Sequence, residues 1–357
     1  MTDAADKPMK DRALVEATVQ PLGVSPKWMN VSRRSFGHHK RGRDELLASS
    51  ERELQTFIGT GVIPPPEPDL ALSDAVEPPR LDWENHLHSS LGMYANAKLR
   101  DFETNSLANN AWDISSAQAA VEAERLRTLI RVHIATLFPQ RYGGRQLRTL
   151  WPSDTAVAAL GIVLRPGEDS FDAARLHLTA YRRGWTHSTE YFPLYIFMLR
   201  ILADHLGEPP LLLAGEPARE PYTNDLYDAW RTTDLETLTA LCLAVCDFHT
   251  HRCTVAPASV VFHEFQQGKW TRCPIEILLL LKLRELTGLP NPELRHPLTD
   301  TALGRLPPPI PWTHDPLLEQ VHARLRADGL DEANLIKGQR PALPAAPKRG
   351  LARWFPW

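Results

Sequence analysis

Residues 189–210 read TEYFPLYIFMLRILADHLGEPP, and how this stretch folds decides the architecture. Its middle is apolar on nearly every side of a 3.6-residue period, so a helix here has no wide face for water and belongs at the centre of a fold. Gly207 stands where a left-handed residue closes a helix, and the two prolines after Glu208 forbid continuation. Residues 273–292, CPIEILLLLKLRELTGLPNP, repeat the grammar, with Pro274 at the first helical position, Gly288 just past the end and Pro290 beyond.

Working outward, helical patterns follow one another. DWENHLHSSLGMYANAKLRDFETNSL (82–107) is one; the next starts at Ser115 or Ser116 and carries Leu126, Leu129, Ile130, His133 and Leu137 on one stripe. Short helices are expected from Ser153 or Asp154 and from Asp169 or Ser170, and a last one from about Asp315 to Arg326. RDELLASSERELQTFIGTG (43–61) is helical in composition and stops at glycines. Few segments alternate with period two, and no Asn-Gly or Asp-Gly turn joins such runs. The expectation is an all-α, irregular multi-helix bundle of mostly antiparallel helices.

The domain reading follows the punctuation. Residues 1–42 read as a flexible basic N-terminal arm. Residues 43–80 read as a helix followed by a Pro-rich linker, because the prolines of VIPPPEPDLALSDAVEPPR remove donors and force extended backbone. Residues 81–336 form a single all-α domain that would divide, if anywhere, near 207–222. Residues 337–357 are a Pro-rich, basic and aromatic tail.

With 40 Lys and Arg against 43 Asp and Glu among 357 residues, the net charge of −3 excludes a globally basic nucleic-acid binder. The start MTDAADKPMKDR is polar, and no apolar run reaches the ~20 residues of a membrane span. Four cysteines without an export signal point to reduced thiols in a cytoplasm. No membrane partner is expected, and nucleic acid is an unfavoured one.

CLAVCDFHTHRC, residues 242–253, concentrates the chain's chemistry. Upstream, Thr233 and Glu236 make a T-x-x-E capping box, so a helix starts there. Leu235, Leu238, Cys242, Cys246 and His249 then share its stripe. Eleven residues of helix span ~16 Å, whereas zinc holds each ligand within ~2.3 Å; one straight helix therefore cannot converge four ligands. The cysteines read as small core side chains, with no metal and no cofactor expected. Were a metal held, Cys246, His249, Cys253 and Cys273 would be its ligands, with His263 as a further residue within reach of the motif.

Other motifs have plainer readings. His314-Asp315 in PWTHDPLLEQV resembles the HD pair of metal phosphohydrolases, yet Asp315 followed by Pro316 fits a helix cap and first turn. His263-Glu264 lacks an H-E-x-x-H partner, and RYGGR (141–145) lacks the strand–loop–helix context of a phosphate loop. RRSFGHHKRGR (33–43) packs five cationic side chains around Phe36 and offers an electrostatic route to nucleic acid. The rival readings are thus a metal-dependent hydrolase using residues 246–253 with His314 and Asp315, and a nucleic-acid-associated protein using the arm. No catalytic residue is assigned.

Residues 226–230 (LYDAW), 246–252 (CDFHTHR), 273–298 (CPIEILLLLKLRELTGLPNPELRHPL) and 315–318 (DPLL) resemble helical immunity proteins of bacterial polymorphic toxins, of the type VI secretion or Rhs-associated kind. The resemblance covers roughly residues 222–328. It implies an inhibitor that binds one cognate secreted toxin, often a nuclease, and blocks it by occlusion, and it carries over no binding position. The acidic stretch GEPAREPYTNDLYDAW (215–230) suits a basic nuclease cleft, which makes Asp225, Asp228 and Asp234 the candidate partner-binding residues. A homodimer is the other association considered.

Overall fold

The computed structural model describes residues 22–26, 28–29, 40–63, 83–141, 147–187, 192–211, 221–253, 264–265, 270–330 and 335. Among these, ten α-helices and one 3-10 turn (Ala302–Gly304) account for the regular structure, with a single isolated bridge, Leu150 to Thr186. The fold is all-α, as the periodicity predicts. The helices are α1 (Lys40–Thr60), α2 (Trp83–Asn109), α3 (Ile114–Arg141), α4 (Asp154–Leu164), α5 (Glu168–Arg182), α6 (Pro193–His205), α7 (Pro221–Ala229), α8 (Leu235–Arg252), α9 (Ile275–Leu286) and α10 (Pro316–Ala327).

The long helices α2 and α3 form a hairpin whose turn is written in the chain. Asn110 takes a left-handed conformation (φ 47°), and the Ala111 N–H returns to the Ser106 carbonyl at 3.1 Å, which closes α2 in a Schellman turn. Asp113 then opens α3, its carboxylate accepting from Ser116 N at 3.3 Å and Ser116 Oγ at 2.8 Å. The start therefore lies slightly before the serines named from sequence. Helix α1 packs on α2, and α10 packs on α1 and α3.

The first core unites α4, α6, α7, α8 and α9 with the inner faces of α2 and α3; the second lies among α1, α2, α3 and α10. Helix α6 is buried along almost its whole length, as its apolarity requires. It shares the centre with α4, DTAVAALGIVL, in which ten of eleven residues are buried and which contacts α3, α5, α6 and α9. Small side chains explain why α4 can be approached from so many sides. At Gly161 an added Cβ would sit 3.0 Å from Val121 Cγ1 of α3. Gly207 and Gly288 close α6 and α9 at φ 65° and 73°. The first core draws residues from both sides of 207–222.

Two local differences from the sequence reading, at α8 and α3, have one cause, a stronger capping group nearby. The cap of α8 is Asp234 rather than Thr233; its carboxylate accepts from Glu236 N (3.1 Å), Thr237 N (3.2 Å) and Thr237 Oγ1 (2.6 Å), where a threonine hydroxyl would take fewer. Asp113 displaces Ser115 at α3 in the same way. Pro274 precedes α9 as its cap residue, its carbonyl taking the Ile277 and Leu278 N–H groups. Helix α7, within the stretch read only as acidic, starts at Pro221, a residue suited to a first turn.

Of residues 1–42, the described parts at 22–26 and 28–29 pack against the body: Trp28 is fully buried and its Nε1 donates to the Thr271 carbonyl at 2.6 Å. Lys40–Arg43 form the first turn of α1. The rest of the basic arm, the linker from 64 to 82 and the tail from 336 lie outside the described residues. No described helix is long and apolar enough to cross a membrane.

Asp315 caps α10 through Leu317 N (2.9 Å) and Leu318 N (3.4 Å) and also accepts the Tyr94 hydroxyl at 2.5 Å, which ties α10 to α2. Asp315→Ala is expected to cost about 1–2 kcal/mol in urea unfolding; an unchanged midpoint would show that this cap does not hold α10.

Candidate functional site

Helix α8 runs unbroken to Arg252, and Cys253 is its C-cap. Cys242, Cys246, His249 and Cys253 therefore line one helix, and with Cys273 all four thiols are fully buried and free of disulfides. Burial pushes every one of these thiols up, Cys242 to about 12, so each remains protonated and a poor metal ligand or nucleophile. Among the described residues, no three His, Cys, Asp or Glu side chains are placed to share a metal ion. His263 lies outside them.

Each polar residue of CDFHTHR instead fastens a different piece of chain. His249 is fully buried; its Nδ1 lies 2.7 Å from Glu276 Oε1 and its Nε2 2.9 Å from the Trp270 carbonyl. A carbonyl only accepts, so Nε2 carries a proton. Burial alone would lower the ring's pKa, but Glu276 beside it holds it well above the ordinary histidine value, and the ring donates from both nitrogens. Asp247 takes His296 Nε2 at 3.1 Å and Gly23 N at 3.0 Å. His296 Nδ1 accepts from Leu298 N at 3.0 Å, which fixes its tautomer.

The remaining residues continue the pattern. Thr250 Oγ1 accepts Ser25 N at 2.9 Å, and His251 Nε2 meets Gly23 O at 3.0 Å. Arg252 Nε donates to Glu264 Oε2 at 3.1 Å. Glu264 in turn accepts Leu194 N (2.6 Å) and Tyr195 N (3.3 Å), so it caps α6 from 70 residues away. Burial pushes its carboxyl up to about 7 against the pull of Arg252 and those amides.

The His314-Asp315 pair lies elsewhere. Glu122 of α3 binds three donors of the 311–315 strap: Trp312 Nε1 at 2.7 Å, His314 Nδ1 and Asp315 N at 2.9 Å. Gln118 adds Thr313 N (3.3 Å) and the Pro311 carbonyl (3.1 Å). The strap covers a cavity of about 210 Å³ between α3, α4 and α5, which none of residues 246–253 lines. The structure thus does not gather 246–253 and 314–315 into one site, and sequence reasoning missed the concavity that Trp312 and His314 border.

A buried charge network adjoins this cavity, which its member Glu124 lines. Arg131 pairs with Asp154, whose carboxylate also accepts Trp151 N at 2.9 Å; Arg127 Nη1 reaches Glu124 at 3.0 and 3.1 Å and Asp154 at 3.8 Å. Burial opposes the charge of Asp154, yet Arg131 and Arg127 hold its carboxyl below its usual value. For Glu124 burial wins and the carboxyl is raised. Burial also pushes His177 down to about 4, so its ring is neutral at pH 7, with Nε2 3.5 Å from Thr128 Oγ1. Gly92 of α2 makes room for the network, since a Cβ there would lie 2.7 Å from Arg127 Nε.

Comparison with protein-family models, curated proteins and solved structures finds no match for this chain. The sequence-predicted partner residues are placed unequally: Asp228 is exposed on α7, Asp225 is half-buried, and Asp234 is committed to capping α8.

Two outcomes test these assignments. Glu276→Gln leaves a buried imidazolium without its counter-charge and is expected to cost about 3–5 kcal/mol in chemical unfolding; a loss below about 1 kcal/mol would remove the pair as an anchor. His177 titrates lower in the folded chain than in the unfolded one. As pH falls below ~6.5 the unfolded chain therefore takes up a proton that the folded chain refuses until about 4. Its contribution is a loss of about 3 kcal/mol across that window, and His177→Asn should flatten this part of the stability–pH curve.

Proposed function

We propose that this chain is an immunity protein: a helical inhibitor that binds one cognate secreted bacterial toxin in the cytoplasm and occludes it, with no catalysis of its own. The observation that carries the reading is the commitment of the CDFHTHR side chains. All of them serve packing, capping or the seating of residues 22–29, which suits a rigid binding scaffold. The resemblance over residues 222–328 supplies the toxin class, and a pre-organised helical surface suits occlusion, because little conformational freedom is lost on binding.

Acidic α7 is the surface to test. Asp228 is exposed on it, and Asp225 is a half-buried neighbour. Asp234 leaves the partner set, because its carboxylate already holds three donors at the start of α8. Electrostatic complementarity to a basic nuclease cleft acts mainly on the association rate and on its salt dependence.

Should a neighbouring gene encode a secreted toxin domain, co-expression with it is expected to rescue growth and yield a complex, and its failure to do so would count against the reading. Asp225→Asn with Asp228→Asn should slow association about three- to tenfold at low salt and flatten its salt dependence. Asp234→Asn retains a capping side chain and serves as the control with unchanged association. Equal rates for all three proteins would move the contact surface away from α7.

A further inference from the structure

The cavity beneath the 311–315 strap has the features of a ligand site rather than a packing fault. Its volume of about 210 Å³ is that of roughly seven waters at ~30 Å³ each. Packing faults are apolar, but here four buried polar side chains, Glu122, Glu124, Thr128 and His177, reach the lining. The walls beside them are small and apolar, from Val121, Val157, Ala158, Gly161 and Ala173.

Glu124 is the informative group. Both of its hydrogen bonds come from a single nitrogen, Arg127 Nη1, at 3.1 and 3.0 Å, and Arg131 stands off at 4.0 Å. A carboxylate offers about four acceptor positions, so Glu124, which lines the cavity and accepts two hydrogen bonds, has acceptor capacity left. The lining as a whole carries four carboxylates, Glu122, Glu124, Glu168 and Asp169, against the two guanidinium groups of Arg125 and Arg165. Trp312 adds an aromatic wall of the kind that attracts cations.

We propose that this cavity binds a small organic cation, an amidinium, guanidinium or ammonium group on a compact apolar body, with its N–H donors on the Glu124 carboxylate and its body between the α4 wall and Trp312. His177 completes the fit. Its ring is neutral at pH 7 and does not repel the incoming charge. The site stands apart from α7 and α8, so it does not depend on the toxin-binding reading. The same head group is carried by free amidines and by the arginine of a partner protein.

The test is titration of the full chain, followed by calorimetry and by NMR, with benzamidine, neutral benzamide and anionic benzoate, which share one ring and differ in charge. Benzamidine should bind with a Kd of about a millimolar, at least about tenfold tighter than benzoate. Glu124→Gln should remove that preference, and Ala158→Phe, which fills the cavity while leaving the charge network intact, should abolish binding. N-acetylarginine amide distinguishes the sources: tighter binding than benzamidine assigns the site to a protein-borne arginine, weaker binding to a free cation. Should Glu124→Gln not fold, Ala158→Phe and Trp312→Ala carry the test. Benzoate binding as well as benzamidine, benzamidine binding undiminished by Ala158→Phe, or no saturation by any probe would overturn the proposal.

Discussion

A charged histidine that no water reaches, His249, ties together distant parts of this molecule. Its ring joins Glu276 of α9 to the Trp270 carbonyl, and Trp270 lies in a left-handed conformation (φ 65°) that a bulky L-residue rarely adopts. Such a backbone persists only where its surroundings over-determine it. Here both of its polar groups are claimed, the N–H by the Glu103 carboxylate of α2 and the carbonyl by His249. The next residues then present the Thr271 carbonyl to Trp28 Nε1 and set the Arg272 guanidinium 4.0 Å from the Trp28 ring. One ion pair thereby links α8 to α9, to the turn that precedes α9, and through it to the chain's N-terminal segment.

The second centre is α3, and it works by different physics. Around His249 a single charge pair sits inside apolar packing. Along α3, two acids (122 and 124) followed by two arginines (127 and 131) face the strap, the cavity and α4. Burying four charges together is tolerable only because carboxylates and guanidiniums pair and the backbone N–H of Trp151 supplies one more donor. Among the described residues Glu124 accepts from Arg127 alone, and with Glu122 it borders the open volume. Packing and polarity therefore meet at one place.

Much of the fold was legible because its signals are local. Apolar helices with glycine ends, the Asp315-Pro316 start of α10 and the failure of one helix to converge four ligands each follow from a few neighbouring residues. The long-range partners of CDFHTHR were illegible because they are distant: Gly23, Ser25, Glu264, Trp270, Glu276 and His296 lie between 12 and 228 residues away. The cavity was illegible for the same reason, since it needs α3, α4, α5 and the strap to be assembled first. Capping was misassigned at α3 and α8, where a serine or threonine competed with a nearby aspartate, because the carboxylate accepts more donors than a hydroxyl.

One signal for the central ion pair was nonetheless present in the sequence. Glu276 is the lone acid in PIEILLLL, inside a helix that offers it no water. A carboxylate there must find a cation, and burial at this depth excludes the solvated end of a lysine unless its whole stem is accommodated. A histidine solves the problem compactly. A cluster of His, Cys and Asp near an apolar helix end therefore has two physical readings, a site that collects a ligand or a set of donors that answers buried acceptors elsewhere. Unpaired acids within the remaining apolar helices decide between them. Here Glu276 answers His249 through Oε1, and at the cavity a second buried acid, Glu124, meets open volume.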